Sequence, residues 1–437
     1  MNQWNPLRWP LYAQIFAGIV LGVIAGLISG DTAELVAGVT FDSIYDYIGT
    51  LFLNALKMLI VPLIATSIIS GVASLGGPGT LGRLGGKTVL YYLATSTIAV
   101  LVGLTVVNLV KPGILNGVAV GGLLDFETNS ELVASRMAGA EGGVAEVFLR
   151  MFPPNIVMAA AEGQMLGVIV FCILFGYFIS RLVKERREQV TSFVQACFEA
   201  MMGVTRFVMR FAPIGVFGLV ASVVADVGLG AARPLVVFSI TVLAALAIHF
   251  LVVMPLILLF VARVNPLRQY RAMAPALLTA FSTASSSATL PITMRCVEDN
   301  AKVSSRTTGF VLPLGATVNM DGTALYECVA VMFIAQAYGL EIGFGVQFTI
   351  VFAALLTSIG VAGVPAASFV AIAVILGAVG LPVEAIGVLF VFDRILDMSR
   401  TAVNVFGDSC GAVTIARLEG ESGVLGEESR HRRRDEE

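Results

Sequence analysis

The segment at residues 393–408 has the sequence DRILDMSRTAVNVFGD, which sets several charges within an apolar part of the chain. In a helix, at about 100° per residue, its polar side chains fall within about 120° of arc and leave the other face apolar. These side chains are Asp393, Arg394, Asp397, Arg400, Thr401, Asn404 and Asp408. Each ion at bilayer depth costs about 2.5–3.5 kcal/mol. A salt-bridge ladder, such as Asp393 with Arg394, explains only part of this stripe. The remaining groups predict a hydrated site that binds a charged solute.

The composition of the whole chain places this helix in a membrane. Of the 437 residues, 57% are hydrophobic and only 13% are charged, whereas soluble domains average about 25% charged residues. The mean hydropathy is +0.89. Apolar segments long enough for bilayer-spanning helices fall at 11–30, 44–75, 84–110, 146–180, 191–224 and 234–262, followed by broken stretches at 265–338, 345–380 and 382–418. We therefore predict an all-α polytopic membrane protein.

Other features limit the possible partners and compartments. The net charge of −3 gives no indication of nucleic-acid binding. The five cysteines have no metal-like spacing, which predicts reduced, buried thiols. The first ten residues lack the basic region of a signal peptide, so they are interpreted as a cytoplasmic lead. The charge run at 419–437 predicts a disordered tail.

The distribution of Lys and Arg predicts how the segments cross the membrane. Basic loops alternate with loops that lack both residues, which places both termini in the cytoplasm of a protein of the inner (plasma) membrane. Segment 272–294 has basic residues at both ends, and segment 346–379 has them at neither. We therefore predict two re-entrant hairpins, with tips at 285–287 and 363–365, entering from opposite sides. The units 265–338 and 341–418 would form an inverted repeat with a site between them.

A second polar cluster lies at residues 315–327, inside an apolar stretch. Gly322 follows Asn and Asp, so the helix is expected to unwind there and free its carbonyl groups. Those carbonyls, with carboxylate, amide and hydroxyl oxygens, are ligands for a dehydrated hard cation. The cluster contains Gly315, Thr317, Asn319, Asp321, Gly322, Thr323 and Glu327. The serine run at 285–287 offers N–H groups that suit a carboxylate. A third polar set contains Tyr92, Thr95 and Ser96.

Four motifs occur in an order typical of one family: SSSATLP at 285–291, NMDGT at 319–323, GVAGVP at 360–365 and DMSRTAVNVFGD at 397–408. With YYLATS at 91–96, they resemble the dicarboxylate/amino acid:cation symporters, which include glutamate and aspartate transporters and neutral amino acid exchangers. The resemblance covers nearly the whole chain. It implies eight transmembrane helices plus two re-entrant helical hairpins, a homotrimer, and an elevator motion. The scaffold would comprise residues 1–82 and 113–232, and the transport domain residues 83–112 and 233–418.

The resemblance also implies roles for individual residues. Asp397 would bind a substrate ammonium group, and Arg400 would bind the side-chain carboxylate through its planar fork. The other implied substrate contacts are Thr401, Asn404, Thr323, the backbone N–H of Ser286, and Val364 in the second hairpin. Sodium (Na+) is the implied coupling ion. Its first implied site comprises Gly315, Asn319, Asn404 and Asp408. The second comprises Tyr92, Thr95, Ser96, Asn319 and Asp321, and the third comprises Thr317, Ser358 and Ile359.

Several positions depart from patterns common in the family. Ala284 stands where some members have arginine, and we expect Arg394 to supply that positive charge near the hairpin tip. Ser368 replaces a frequent glycine and is expected to tune ligand fit. Asp408 favours sodium, since proton-coupled relatives often have asparagine there. Glu327 stands where some animal glutamate transporters have a proton carrier. Burial disfavours an ionised carboxyl group, so Glu327 is either a candidate proton carrier or a structural residue bonded to a neighbour.

The leading hypothesis is sodium-coupled symport of an acidic amino acid, L-aspartate or L-glutamate. Asp397 and Arg400 would supply one partner for the ammonium and one for the side-chain carboxylate. One methylene is worth only about 1–3 kcal/mol in a pocket, so both substrates stay candidates. A proton-coupled or dicarboxylate-specific member of the family is one alternative, and an ion channel is another. An enzyme is not expected. Val-Phe-Gly before Asp408 does not match the GxGD pattern of intramembrane proteases, and the sequence shows no partner for His249.

Overall fold

The computed structural model describes residues 9, 11–30, 33–36, 39–74, 83–124, 126, 149, 151–162, 164–227, 232–340, 342–358 and 367–426. These residues are mostly α-helical. The first eight helices are α1 (Leu11–Ser29), α2 (Phe41–Lys57), α3 (Ile60–Ser74), α4 (Arg83–Val110), α5 (Ile156–Ala161), α6 (Met165–Ser180), α7 (Lys184–Met209) and α8 (Ala212–Val227). The next nine are α9 (Ala232–Ile248), α10 (Met254–Ile257), α11 (Pro266–Thr283), α12 (Ser286–Arg295), α13 (Ser305–Val318), α14 (Asp321–Ala337), α15 (Phe344–Ser358), α16 (Ala367–Val379) and α17 (Phe390–Leu418).

Short elements connect these helices. Two antiparallel strand pairs are present, β1 (Glu34–Val36) with β2 (Val39–Thr40) and β3 (Ile114–Leu115) with β4 (Val118–Ala119). The π-helical segments are His249–Val253, Leu258–Ala262 and Cys296–Asn300. The 3₁₀ segments are Gly121–Leu123, Val383–Leu389 and Val424–Gly426.

Four helical stretches in the described ranges are long and apolar enough to cross a membrane, or up to five if the bent pair α7 and α8 is one span. The four are Phe41–Ala73, Leu84–Val110, Ala232–Ala262 and Ser305–Ala337. Shorter apolar helices cover Ala13–Ser29, Gly167–Ser180, Phe344–Ser358 and Ser368–Val379. The prediction of an all-α polytopic membrane protein is therefore confirmed.

A stripe of glycines joins the first helix to a later one. Gly18, Gly22 and Gly26 recur every four residues along α1 and lie directly against the backbone of α8. A Cβ atom at Gly26 would lie only 2.6 Å from the carbonyl oxygen of Ala221. Membrane helices lack a strong hydrophobic drive to associate, so close backbone packing of this kind holds them together.

The interior of the molecule is built around α14. In the span Ser305–Ala337, 94% of the apolar window is buried, against 33–39% in the other three spans. Helix α14 therefore contacts protein on all sides, and it packs against α4, α9 and α17. A helix that neighbouring helices surround completely can hold polar groups away from lipid, because those neighbours supply their partners.

Both segments predicted to be re-entrant form pairs of helices in contact with each other. Helix α11 packs on α12, and α15 packs on α16. In the first pair the turn lies at Ala284, which has a left-handed backbone (φ 50°), and Ser285, whose side chain accepts the N–H of Ala288. The turn therefore shares only Ser285 with the predicted tip at 285–287, because the hydroxyl of Ser285 caps α12 and the next two serines lie inside the helix. The predicted tip at 363–365 lies outside the described residues.

The segment after α17 contacts the start of α13 and the chain just before it. The carboxylate of Glu421 accepts hydrogen bonds from the backbone N–H of Ser304 (2.8 Å) and from the Ser304 hydroxyl (2.7 Å). It also accepts one from Thr307. Leu425 donates its N–H to the carbonyl of Ala301 (2.9 Å). The sequence predicts a disordered tail from 419, but residues 419–426 are placed by these bonds.

Candidate substrate and cation site

The long apolar stretch between Ser305 and Ala337 is interrupted at two residues. Asn319 (φ −114°, ψ 85°) and Met320 (φ −113°, ψ 61°) leave the helical conformation, so α13 ends and α14 begins there. The sequence predicts unwinding in this region. Gly322, however, lies inside α14, where a Cβ atom would come within 2.7 Å of the carbonyl oxygen of Arg400. Its small size thus allows α14 and α17 to approach closely.

Helix α17 meets the start of α14 through an amide. The N–H of Gly322 donates to the Asn404 side-chain oxygen (2.8 Å), and the Asn404 amide donates to the hydroxyl of Thr323 (3.0 Å). Thr401 donates its hydroxyl to the carbonyl of Asp397 within the same helix (2.7 Å). The structure therefore brings together Asn404 and Thr323, two residues of the predicted substrate site.

Arg400 is 2% exposed and lies between two carboxylates of its own helix. Its Nη1 atom is 2.9 Å from Asp393 Oδ1, and its Nη2 atom is 3.0 Å from Asp397 Oδ1. The ring of Tyr326 lies 4.3 Å from the guanidinium carbon. Asp393 thus pairs with Arg400, whereas the sequence suggests Arg394. Because burying a charge is costly unless it is paired, the two carboxylates compensate for the burial of the guanidinium.

Two further residues lie at the turn of the first hairpin. Ser286 is buried and is the first residue of α12, where helix N–H groups lack partners within the helix. The Nη2 atom of Arg394 lies 3.5 Å from the carbonyl oxygen of Ser282. The positive charge of Arg394 is therefore beside the turn, where the sequence predicts it.

A cluster of oxygens joins α4 to the helix break. The hydroxyl of Ser96 lies 2.6 Å from Asp321 Oδ1 and 3.4 Å from Asn319 Oδ1. The hydroxyl of Thr95 lies 3.3 Å from Asn319 Oδ1 and 3.4 Å from Asp321 Oδ1. All four residues are buried. Neutral and anionic oxygens converging in this way suit a hard cation such as Na+.

A second group of polar atoms surrounds Asp408. Its Oδ1 atom accepts a hydrogen bond from the Asn319 amide (2.9 Å). Gly315 is directly beside it, since a Cβ atom there would lie 2.7 Å from Asp408 Cγ and 2.6 Å from the hydroxyl of Tyr92. That hydroxyl donates to the carbonyl of Val311 (2.8 Å). Asn319 therefore links the two groups, as its predicted membership of both cation sites requires.

The residues of the third implied cation site are not joined by a hydrogen bond in the described part of the chain. Thr317 is exposed, and its hydroxyl donates to the carbonyl of Leu314 (3.0 Å). Ser358 is buried and donates to the carbonyl of Leu355 (2.9 Å). Ile359 and Val364 lie outside the described residues.

Glu327 is fully buried in α14. Its Oε2 atom accepts the hydroxyl of Thr357 (2.8 Å), which fits the structural alternative for this residue. Its Oε1 atom has no hydrogen-bond partner within the described ranges, and such an orphaned polar atom calls for an explanation.

One residue of this region was not identified as a site residue from the sequence. His249 is fully buried, and its Nε2 atom lies 3.2 Å from Asp321 Oδ2. The two residues are 72 positions apart, which is why the sequence shows no partner for this histidine. An ionisable residue inside an apolar helix is by itself a signal of function.

Apolar helices that can span a bilayer thus surround a buried array of carboxylates, amides, hydroxyls and one arginine, which is the organisation of a membrane transport protein. The chain matches the sequence model of the Sodium:dicarboxylate symporter family over residues 11–418. It therefore belongs to that family, whose members are transporters and not enzymes. It is an integral membrane protein.

Relatives from animals and bacteria match along most of the chain. Excitatory amino acid transporter 3 of Oryctolagus cuniculus is 37% identical over 94% of this chain and 85% of its own length. The Proton/glutamate-aspartate symporter of Escherichia coli K12 is 35% identical over 94% of this chain and 93% of its own. The Proton/sodium-glutamate symport protein of Geobacillus stearothermophilus is 36% identical over 93% and 94%, respectively.

Proposed function

We propose that this protein is a secondary active transporter that moves an acidic amino acid, L-aspartate or L-glutamate, together with sodium ions. One observation carries the substrate class. Asp397 and Arg400 are buried one turn apart on α17, so opposite charges stand side by side where an ammonium and a carboxylate would bind. The names of the bacterial relatives include glutamate or aspartate.

Binding of such a substrate would redistribute the contacts of Arg400. Its guanidinium is already held by two carboxylates, Asp393 at 2.9 Å and Asp397 at 3.0 Å. A substrate ammonium would take Asp397 as its partner, which leaves the Nη2 edge of Arg400 for the side-chain carboxylate of the substrate. Asp393 would keep hold of Nη1 and orient the fork. Thr323, Thr401, Asn404, the N–H of Ser286, Arg394 and Val364 are proposed as the remaining substrate contacts.

The coupling to sodium is supported by two other carboxylates. Asp321 and Asp408 are 0% and 3% exposed. In the described part of the chain neither has a lysine or arginine within ion-pair distance. An uncompensated buried carboxylate is strongly unfavourable, and a bound cation would supply the missing charge. We therefore propose one sodium ion at each carboxylate, with a third ion near Thr317, Ser358 and Ile359.

Proton coupling is the second candidate, and Glu327 favours it. A buried carboxyl with one orphaned oxygen is suited to binding a proton instead of a metal ion. Two relatives are named as proton symporters, one of them also as a sodium symporter. Proton and sodium coupling are compatible in one protein, because Glu327 is separate from the oxygens around Asp321 and Asp408.

For the architecture we propose eight transmembrane helices, two re-entrant hairpins, a homotrimer and an elevator motion, in the plasma membrane with both termini cytoplasmic. The grouping of helices supports two bodies, since α1, α2 and α8 pack together and α4, α9, α14 and α17 pack together. The boundary after α4 is better placed beyond residue 126 than at 112. The N–H of Gly113 donates to Gln336 (3.2 Å), and Phe126 stacks on Tyr338 at 4.8 Å.

The test is uptake of radiolabelled L-aspartate and L-glutamate into proteoliposomes with an imposed sodium gradient at equal pH. We expect concentrative uptake with sodium outside and none when choline replaces it. Asp397→Asn should abolish uptake. Ser399→Ala should not, since in the described part of the chain the Ser399 hydroxyl donates to the carbonyl of Ile395 in its own helix.

Several results would contradict parts of the proposal. Uptake driven by a pH gradient alone would replace sodium coupling with proton coupling. Substrate-independent currents without concentrative uptake would indicate a channel. Absence of gradient-dependent uptake of both amino acids would refute the function.

A further inference from the structure

His249 connects the helix before the first hairpin to the oxygen cluster at the helix break. Helix α9 ends at Ile248, and a π-helical segment begins at His249 and runs to Val253. Insertions of π-helix in α-helices are often found at functional sites because they redirect side chains. Here the side chain of the first residue of that segment reaches Asp321 of α14, and both side chains are completely buried.

The two oxygens of Asp321 have different partners. The Oδ1 atom faces α4, where it lies 2.6 Å from the hydroxyl of Ser96. The Oδ2 atom lies 3.2 Å from His249 Nε2. A carboxylate on a short side chain rotates about two bonds, so a fixed donor on one oxygen also fixes the direction of the other. His249 therefore sets the position of the oxygen that faces Ser96, Thr95 and Asn319.

The contact between His249 and Asp321 also indicates which ring nitrogen of His249 carries a hydrogen. An ionised carboxylate only accepts hydrogen bonds, so Nε2 must carry the hydrogen. The Nδ1 atom is buried and has no hydrogen-bond partner within the described ranges. A hydrogen on Nδ1 would therefore be a buried, unsatisfied donor. The geometry therefore assigns to His249 one hydrogen bond at this site, from Nε2 to Asp321 Oδ2.

We propose that His249 is a positioning residue for the cation site, which it serves by donating its Nε2–H to Asp321 Oδ2 and holding Oδ1 toward the oxygens of α4 and Asn319. This inference rests on the proposed sodium coupling. A ring held at one oxygen orients the carboxylate and leaves the other oxygen facing Ser96, whereas the flexible chain of a lysine at the same place could reach the position of the cation.

Two amide substitutions distinguish the hydrogen bond to Asp321 from the effects of side-chain size and polarity at position 249. His249→Gln places an amide N–H near the position of Nε2, whereas His249→Asn carries the same amide one methylene shorter and cannot reach Asp321. We expect the sodium concentration for half-maximal thermal stabilisation to rise about tenfold or more in His249→Asn, since a hydrogen bond to a charged group is lost. In His249→Gln it should stay within about threefold of the wild-type value.

The measurement is thermal unfolding of the purified full-length protein in detergent, titrated with sodium chloride at constant ionic strength with choline chloride. Affinity for L-aspartate at saturating sodium is measured in parallel. It should change little, because His249 touches neither Asp397 nor Arg400 within the described ranges. Gln336→Leu is the matched control. Gln336 lies on α14, 15 residues after Asp321, and its side chain makes buried hydrogen bonds with Val107 and Gly113. Losing these bonds should lower the unfolding temperature without changing the sodium midpoint.

Each other outcome overturns the inference. Equal sodium midpoints in the wild type and both His249 variants would show that the contact does not position Asp321. Equal impairment in both variants would show that reach to Asp321 is irrelevant. If His249→Asn does not fold, His249→Met replaces it, because it fills the ring volume without a donor. A wild-type protein that sodium does not stabilise would remove the sodium coupling and this inference together, whereas a sodium-dependent wild type with unaffected variants removes the inference alone.

Discussion

A methyl group at Gly315 perturbs the proposed cation site with little change elsewhere. In Gly315→Ala the new Cβ atom would lie 2.7 Å from Asp408 Cγ and 2.6 Å from the hydroxyl of Tyr92, whereas ordinary contacts begin at 3.4 Å. The carboxylate carbon of Asp408 must therefore retreat by about 0.7 Å, and its Oδ1 atom, which lies closer still, by more. Tyr92 blocks relief in its own direction because its hydroxyl is bonded to the carbonyl of Val311 (2.8 Å). The hydrogen bond from Asn319 to Asp408 (2.9 Å) is stretched in the same movement.

The size of this displacement sets the expected effect. A misplacement of about 1 Å in a preorganised site costs about a hundredfold. We therefore expect the sodium concentration for half-maximal stabilisation to rise about ten- to a hundredfold. The cost to folding should be smaller, because alanine gains up to about 1 kcal/mol of helix propensity over glycine while overpacking costs about 1–3 kcal/mol.

The assay is a sodium titration of thermal unfolding with saturating L-aspartate, and Gly309→Ala is the control. Gly309 lies in the same helix, and a Cβ atom there meets nothing within 4 Å. It should leave the sodium midpoint unchanged and the stability equal or slightly higher. A wild-type sodium midpoint in Gly315→Ala would refute the assignment of Asp408 to a cation site. A comparable shift in Gly309→Ala would show that the assay reports helix stability and not ion binding.

Three further predictions address the substrate, the proton and the scaffold. Arg400→Cys should weaken L-aspartate binding by about a hundredfold or more, because it removes one member of a buried charge group. Small neutral amino acids should then compete in a binding assay. Unchanged aspartate affinity would contradict the role of Arg400 in binding the side-chain carboxylate. Glu327→Gln cannot bind or release a proton at this position, so the pH dependence of sodium-driven uptake should be lost or much reduced. A wild-type pH profile in this variant would assign Glu327 a structural role. Gly26→Ala should destabilise the protein by about 1–3 kcal/mol, because its Cβ would lie 2.6 Å from the Ala221 carbonyl oxygen. Gly203→Ala is the control, since a Cβ there meets nothing within 4 Å. Equal unfolding temperatures of the two variants would contradict the close packing of α1 on α8.

The large features of the fold could be predicted because each rests on a local pattern with one strong physical cause. Apolar length predicts membrane helices, and the stripe on α17 follows from helical periodicity alone. Unwinding in this stretch was predicted from polar residues before a glycine, but the break lies at Asn319 and Met320, and Gly322 is inside α14. The pairing of α11 with α12 was predicted from basic residues at both ends of one segment, which a single crossing cannot accommodate.

The contacts between distant elements could not be predicted in the same way. Nothing local distinguishes Asp393 as the partner of Arg400, since Arg394 is adjacent and equally charged. His249 and Asp321 are 72 positions apart and meet only in the folded protein. The turn at Ala284 lies earlier than the predicted tip at 285–287. Any of the three serines at 285–287 could cap the helix, and the sequence does not show which of them does.

The position of Glu421 has a practical consequence for reporters attached to this protein. Its carboxylate holds the N-terminal end of α13 through Ser304, so the chain after α17 is part of the folded unit. A fluorescent protein joined directly after Leu418 would replace these bonds with a bulky neighbour at the end of the helix that leads to Asn319. Joined after residue 437, the same reporter leaves Glu421 and Leu425 in place, and truncations for crystallisation should likewise stop beyond residue 426.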